Sequence, residues 1–363
     1  MRLHTGGRAS ARKGRGAVDN PEGRFESVER IAEEDGWAVV SEEDVGAGGL
    51  ATKVTEEVAK SILSRNDSPD IPFTWSINPY RGCEHGCIYC YARPSHAYLG
   101  LSPGLDFESR IFAKTNAAGL LNAELRRRGH VCDPIALGAN TDPYQPVEKR
   151  LRITRSILEV LRDSRHPVGI VTKNALVLRD VDILRAMAAD NLCRVFISIT
   201  TLDHELARRL EPRASSPSRR LEALQVLRDA GVPCGVMVAP VIPFLTDDSV
   251  ERVLEAAASS GAQSAGYVLL RLPYEIRGLF EAWLDTHFPL KSAHVMQRVR
   301  DMRGGRANDP EFGSRMRGQG ELAALLARRF ESACRKLGLS DQRQPLNTGL
   351  FRPPDPPGQL PLF

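Results

Sequence analysis

Cysteine is scarce in this chain of 363 residues, and its seven thiols are unevenly spread: Cys132, Cys193, Cys234 and Cys334 stand alone, whereas Cys83, Cys87 and Cys90 share one short stretch. An odd number with four scattered members argues against a secreted disulfide framework. Long apolar runs are also missing. The richest, "GVMVAPVIPFL", falls far short of a membrane span and carries prolines, and the amino terminus has no apolar core of the signal-peptide kind. A membrane protein and a secreted one are therefore not expected, and a cytoplasmic setting is. Net charge is a modest +4, and 42% hydrophobic residues suffice for a full-sized core.

The charge is locally uneven. "GGRASARKGRGAVDNPEGR" carries many Arg and Lys and few acids, so residues 1–25 read as a basic disordered arm: a solvated tail, a nucleic-acid contact or a mitochondrial-type presequence. Residues 26–71 read as an amino-terminal extension that tends to helix, including "ATKVTEEVAKSILSR". From residue 72 to about 290 short apolar runs ("WSINPY", "PIALGAN", "VGIVTK", "RVFISIT", "CGVMVAPVI", "AGYVLLRL") alternate with helical patterns, two of them closed by glycine. Six alternations predict parallel strands with helical crossovers, buried on both faces. Polar residues end several strands, Asn140, Lys173 and Thr200 among them, as a barrel with its site at the carboxyl ends requires. The expected fold is thus α/β, a partial (βα)6 TIM-like barrel. A carboxy-terminal helical extension follows over 291–345, then a proline-rich tail over 346–363.

Three thiolates on a compact loop after the first of these strands suit iron–sulfur chemistry or zinc. Structural zinc closes four ligands, and no second cysteine pair follows; His85 sits between two of the cysteines and can hardly reach the same tetrahedron. Three thiolates leave one iron of a four-iron cluster open for binding. The histidines at 96, 130 and 166 lie singly and read as packing or surface residues. "GAGG" at 46–49 lacks a preceding strand and a phosphate-loop lysine and reads as a flexible loop. The basic "DMRGGRANDPEFGSRMRG" reads as a loop, either solvated or touching a phosphate backbone.

The spacing Cys-x3-Cys-x2-Cys with Tyr89 just before the last cysteine resembles the signature of the radical S-adenosylmethionine (radical SAM) superfamily. More narrowly, "SINPYRGCEHGCIYCYARPSHAY", "GANTDPYQPVE" and "TKNALVLRD" resemble an uncharacterised bacterial group related to spore photoproduct lyase. The resemblance implies a [4Fe-4S] cluster on Cys83, Cys87 and Cys90 and S-adenosylmethionine as cofactor. It implies reductive cleavage of that cofactor to a 5′-deoxyadenosyl radical, with an electron donor such as flavodoxin or ferredoxin. It further implies Tyr89 beside the adenine, Lys173 at the cofactor carboxylate, Ser198 at the ribose, and one of Asn140, Thr141 or Asp142, standing where the family has Gly-Gly-Glu, at the cofactor amino group. Spore photoproduct lyase carries a hydrogen-returning cysteine near the end of its second strand; here that region reads Ala139-Asn140. Cys132, Cys193 and Cys234 precede or begin strands, roughly 20 Å away at about 3.3 Å per residue, so Tyr91 or another group is expected to quench or relay the radical. The expected substrate is nucleic acid, in repair or modification; a small metabolite or peptide, or a non-catalytic iron–sulfur module, are the alternatives. The terminal Gln359-Leu360-Pro361-Leu362-Phe363 resembles the motif by which bacterial repair proteins bind the DNA polymerase sliding clamp, through Gln359, Leu360, Leu362 and Phe363.

Overall fold

The computed structural model describes residues 11–25, 50–339 and 344–355. Its centre is one sheet of strands β2 (Leu63–Arg65), β3 (Trp75–Ile77), β6 (Ile135–Leu137), β7 (Val168–Thr172), β8 (Cys193–Ser198), β9 (Cys234–Val241) and β10 (Ser264–Leu269), in the order β10-β9-β8-β7-β6-β3-β2. From β3 to β10 every neighbouring pair is parallel, and β2 closes one edge antiparallel to β3. Six parallel strands in sequential order are the open, partial barrel that the alternation predicts. The strands are buried nearly end to end, as in β8 and β10, because helices cover their outer face.

Local chemistry sets the crossovers. The Ile153–Asp163 helix turns Ile153, Ile157, Leu158 and Leu161 inward. Asp203 accepts from the Glu205 and Leu206 amides (2.8 and 3.0 Å) to start the His204–Leu210 helix, and Ser216 with Pro217 starts the Pro217–Asp229 helix. Gly231 and Gly261, expected as helix terminators, follow their helices at φ +75° and +101°. Among the described residues no helix is long and apolar enough to cross a membrane.

Two expectations change. "ATKVTEEVAKSILSR" is not helical: Lys53–Glu57 forms β1, which pairs parallel with β5 (Arg110–Lys114), itself antiparallel to β4 (Tyr80–Arg81). Pairing with a distant strand overrides a helix-favouring composition, and Val54 and Thr55 suit the pleat. Residues 11–25, part of the stretch expected to be disordered, are placed, and Arg15, Ala17 and Val18 are buried. The proline-rich tail docks through residue 355. Asn347 N donates to Asn191 O (2.9 Å), Arg352 N to Ser164 O (2.8 Å), and the Phe351 ring packs on His130 and His166. Those two histidines are neighbours rather than isolated, Nε2 to Nε2 at 3.3 Å, yet they are packing residues as expected. The Gln359–Phe363 motif lies outside the described residues.

Candidate functional site

The cysteine loop leaves β4 at the carboxyl-end face of the parallel strands and is built against buried charge. Gly82 and Gly86 take φ +78° and +66°, and a Cβ at Gly86 would lie 2.8 Å from Glu108 Oε2, so both positions need glycine. Arg93, fully buried, donates to Cys87 O (2.9 Å), Gly86 O (3.2 Å), Pro103 O and Gly104 O, and pairs with Glu108. Glu108 in turn accepts the amides of Gly16 and Ala17 (3.0 and 2.8 Å). A Cβ on Gly16 would fall 1.8 Å from Gly86 O, so the amino-terminal segment lies backbone to backbone on the loop. Gln145 spans the other side, accepting from Glu84 N (2.9 Å) and donating to Gly82 O (3.1 Å).

Cys83 and Cys87 are buried and Cys90 nearly so, and burial pushes all three free thiols upward. Ligation must therefore displace a proton from each sulfur. Among the described residues no three Cys, His, Asp or Glu come close enough to share a single metal ion. One ion with sulfurs at about 2.3 Å needs them nearly touching, whereas a four-iron cluster takes one thiolate per iron and tolerates the wider spacing. The donor set fits such a cluster. His85 is turned away, its Nδ1 3.4 Å from Asp142 Oδ2 and its Nε2 3.2 Å from Asn174 Nδ2.

The strand ends supply the rest. Lys173 Nζ, after β7, donates to Ser198 Oγ (2.9 Å) at the end of β8 and stands 5.8 Å from the Tyr89 ring centre. Asp142 is fully engaged, accepting from Lys173 N and Thr172 Oγ1 (both 2.7 Å) and Tyr144 N (2.8 Å). Burial works to raise the Asp142 carboxyl, but His85 and these donors bring it below its ordinary value. Thr141 Oγ1 donates to Tyr80 O (2.8 Å). Asn140 gives its amide to Asn78 Oδ1 (2.9 Å) and keeps a side chain with no hydrogen-bond partner among the described residues. Tyr91 sends its hydroxyl to Ala139 O, at the end of β6.

Sequence reasoning missed the buried charges that hold this arrangement. Tyr89 donates its hydroxyl to Glu211, which also accepts from Thr200 Oγ1 (2.6 Å) and pairs with Arg220. Arg220 reaches on to Ser198 O (2.9 Å) and Ser215 O (2.7 Å). Burial would lift the Glu211 carboxyl, but Arg220 and Lys173, with the two hydroxyls, bring it down to about 2. Neither Arg93–Glu108 nor Glu211–Arg220 carries a motif; each reads in the sequence as ordinary surface charge.

A family model described as the radical SAM superfamily matches residues 77–257. An uncharacterised protein of Mycobacterium tuberculosis is 36% identical over 277 residues, covering 75% of this chain and 80% of that protein. One from Methanocaldococcus jannaschii is 31% identical over 171 residues, covering 47% and 61% respectively. Among solved structures, a spore photoproduct lyase variant with bound AdoMet and dinucleoside spore photoproduct has a TM-score of 0.56 at 17% identity, covering 79% of this chain and 80% of that one. At that identity the likeness speaks for the fold.

Proposed function

This chain belongs to the radical SAM superfamily, and we propose that it uses Cys83, Cys87 and Cys90 as the ligands of its cluster and acts on nucleic acid. It is a radical SAM enzyme with a [4Fe-4S] cluster and S-adenosylmethionine as cofactors, which together supply, when bound, a 5′-deoxyadenosyl radical that takes a hydrogen atom from a substrate. The observation that carries the ligand assignment is the buried loop itself, gripped by Arg93 on one side and Gln145 on the other at the barrel's carboxyl-end face.

The chain's residues divide the remaining work. Lys173, an ammonium beside Ser198, suits the cofactor carboxylate, with Ser198 toward the ribose. Of the three residues after β6, Asn140 is assigned to the cofactor amino group: its side chain is free to accept, whereas Thr141 is spent on Tyr80 O and Asp142 on the start of the β7 loop. Tyr89 is held by Glu211 and lends its ring, not its hydroxyl. Tyr91 stands where the radical's fate is decided, because Ala139 replaces a hydrogen donor and Cys193 and Cys234 are the first residues of β8 and β9. Five steps of β8 put its thiol roughly 16 Å from that face.

The nucleic-acid reading is supported by the fold shared with spore photoproduct lyase, whose structure holds a dinucleoside photoproduct. Repair in a cytoplasmic setting, delivery by the sliding clamp through Gln359, Leu360, Leu362 and Phe363, and reduction by a flavodoxin or ferredoxin complete the proposal. Anaerobic reconstitution should give iron and sulfide loading and a paramagnetic spectrum altered by S-adenosylmethionine. With reductant, 5′-deoxyadenosine should form and increase when oligonucleotide is added, and Cys87→Ala should form none. Cofactor cleavage by Cys87→Ala would sink the ligand assignment, and indifference to every oligonucleotide would sink the substrate class.

A further inference from the structure

Where β10 ends, Arg271, Arg303, Arg315 and Arg317 gather around two carboxylates, Asp70 and Asp309. Arg271 is half-buried, its guanidinium carbon 5.9 Å from the Tyr91 ring centre, and its Nε is shielded from solvent with no hydrogen-bond partner. Its one hydrogen-bond contact among the described residues is a long one, Nη1 to Met316 Sδ at 3.7 Å. Asp70, a carboxylate whose charge acts on Arg271, is already committed to Arg315 and to Gly313 N (2.7 Å). Arg303 is buried on the carbonyls of Leu269, Leu270 and Arg315, and Arg317 lies 4.1 Å from the Tyr267 ring centre. Burial and then Arg315 push Arg271 below its ordinary value, against the smaller opposing pull of Tyr91 and Asp70. The backbone holds it there: the loop through Met316 pairs with the edge strand, Leu269 N to Met316 O at 2.9 Å.

A guanidinium taken from water without a counter-ion is costly, and an anion with oxygens in a plane would repay it twice over, by charge and by a bidentate fit. Tyr91 narrows the choice. Its hydroxyl is tied to Ala139 at the end of β6 while its ring faces Arg271 at the end of β10, so the pair spans the mouth of the open barrel. The tyrosine is 48% exposed, leaving ring surface on which a base can stack. A charged fork beside an open aromatic face matches a nucleotide, phosphate on one and base on the other.

We propose that Arg271 seats a phosphate group of the substrate at the barrel mouth, beside a base stacked on Tyr91. This rests on the nucleic-acid reading and names the contact that would recognise it. The test uses the reconstituted full chain and the anisotropy of a fluorescein-labelled single-stranded octanucleotide, with thymidine 5′-monophosphate and thymidine as competitors. Arg271→Ala should weaken octanucleotide binding about tenfold, Arg271→Lys should recover part of the loss, and the monophosphate but not thymidine should compete. The iron–sulfur absorbance reports that each variant has kept its loop. Equal affinity for the wild type and both variants overturns the Arg271 assignment while the nucleic-acid reading stands. Monophosphate binding that depends on Arg271, without octanucleotide binding, keeps the phosphate seat and sinks the nucleic-acid reading. Binding of neither overturns both.

Discussion

Glu211→Gln isolates the buried charge behind Tyr89 with a change of one atom. The carboxylate meets Arg220, Thr200 and Tyr89 with no water between, and its fall from an ordinary value near 4.5 to about 2 corresponds to about 3 kcal/mol at ~1.36 kcal/mol per unit. Removing one partner of a buried ion pair costs about 3–5 kcal/mol by comparison with other proteins, because Arg220, 1% exposed, would keep its charge. Both routes give the same size of loss. At ~2 °C per kcal/mol for a domain this large, Tm should fall by roughly 6 °C. The sign with pH is fixed: a carboxylate whose folded pKa is depressed gives its stability in full above about 4.5 and loses it as pH falls toward 2. The difference between wild type and variant should be level from pH 5 to 8 and shrink below pH 4.5. Adding Arg220→Leu should restore only part of the loss, since Ser198 O and Ser215 O then lose their donor. Thermal unfolding of both proteins across pH is the assay; a Tm loss under about 2 °C at pH 7, or a difference that grows in acid, would refute the reasoning.

Gly86→Ala, which sets a Cβ against Glu108 at a positive φ, should cost roughly 1–3 kcal/mol and lower the iron retained per chain; full iron loading at wild-type Tm would contradict it. Gly16→Ala should loosen the amino-terminal segment from Gly86 and speed the bleaching of iron–sulfur absorbance in air, and an unchanged bleaching rate would mean that segment shields nothing. Anaerobic incubation with the thymine photoproduct and reductant should release no thymine, because no cysteine stands at Ala139; efficient repair would end that inference. A peptide of the last ten residues should bind purified sliding clamp and lose binding on Leu362→Ala with Phe363→Ala, and equal binding by both peptides would remove the clamp from the proposal.

The fold was legible because its signals are periodic. Six apolar runs separated by amphipathic helices fix a parallel sheet, and glycines such as Gly231 and Gly261 mark where helices stop. The cysteine loop was legible because three thiols in eight residues have few uses. Strand β1 was not, since its pairing with Arg110–Lys114 lies more than fifty residues away and nothing in "KVTEE" announces the partner.

Buried charge is the part that a single sequence hides, and the reason is reciprocal. An arginine is stable inside a protein only when a carboxylate or a set of carbonyls meets it there, and that partner is defined by the fold, not by spacing. Arg15 sits in a run that composition assigns to solvent, yet Glu108, 93 residues on, draws Gly16 and Ala17 to the loop, and Arg15 follows by donating to Glu108 O. The same logic run in reverse gives Arg271 its meaning. Arg15, Arg93, Arg220 and Arg303 each find carbonyls or a carboxylate when they are buried, and among the described residues Arg271 hydrogen-bonds to neither. A protein that satisfies four buried guanidiniums and leaves that of half-buried Arg271 open at the mouth of its barrel has left that place for something that arrives with its own negative charge.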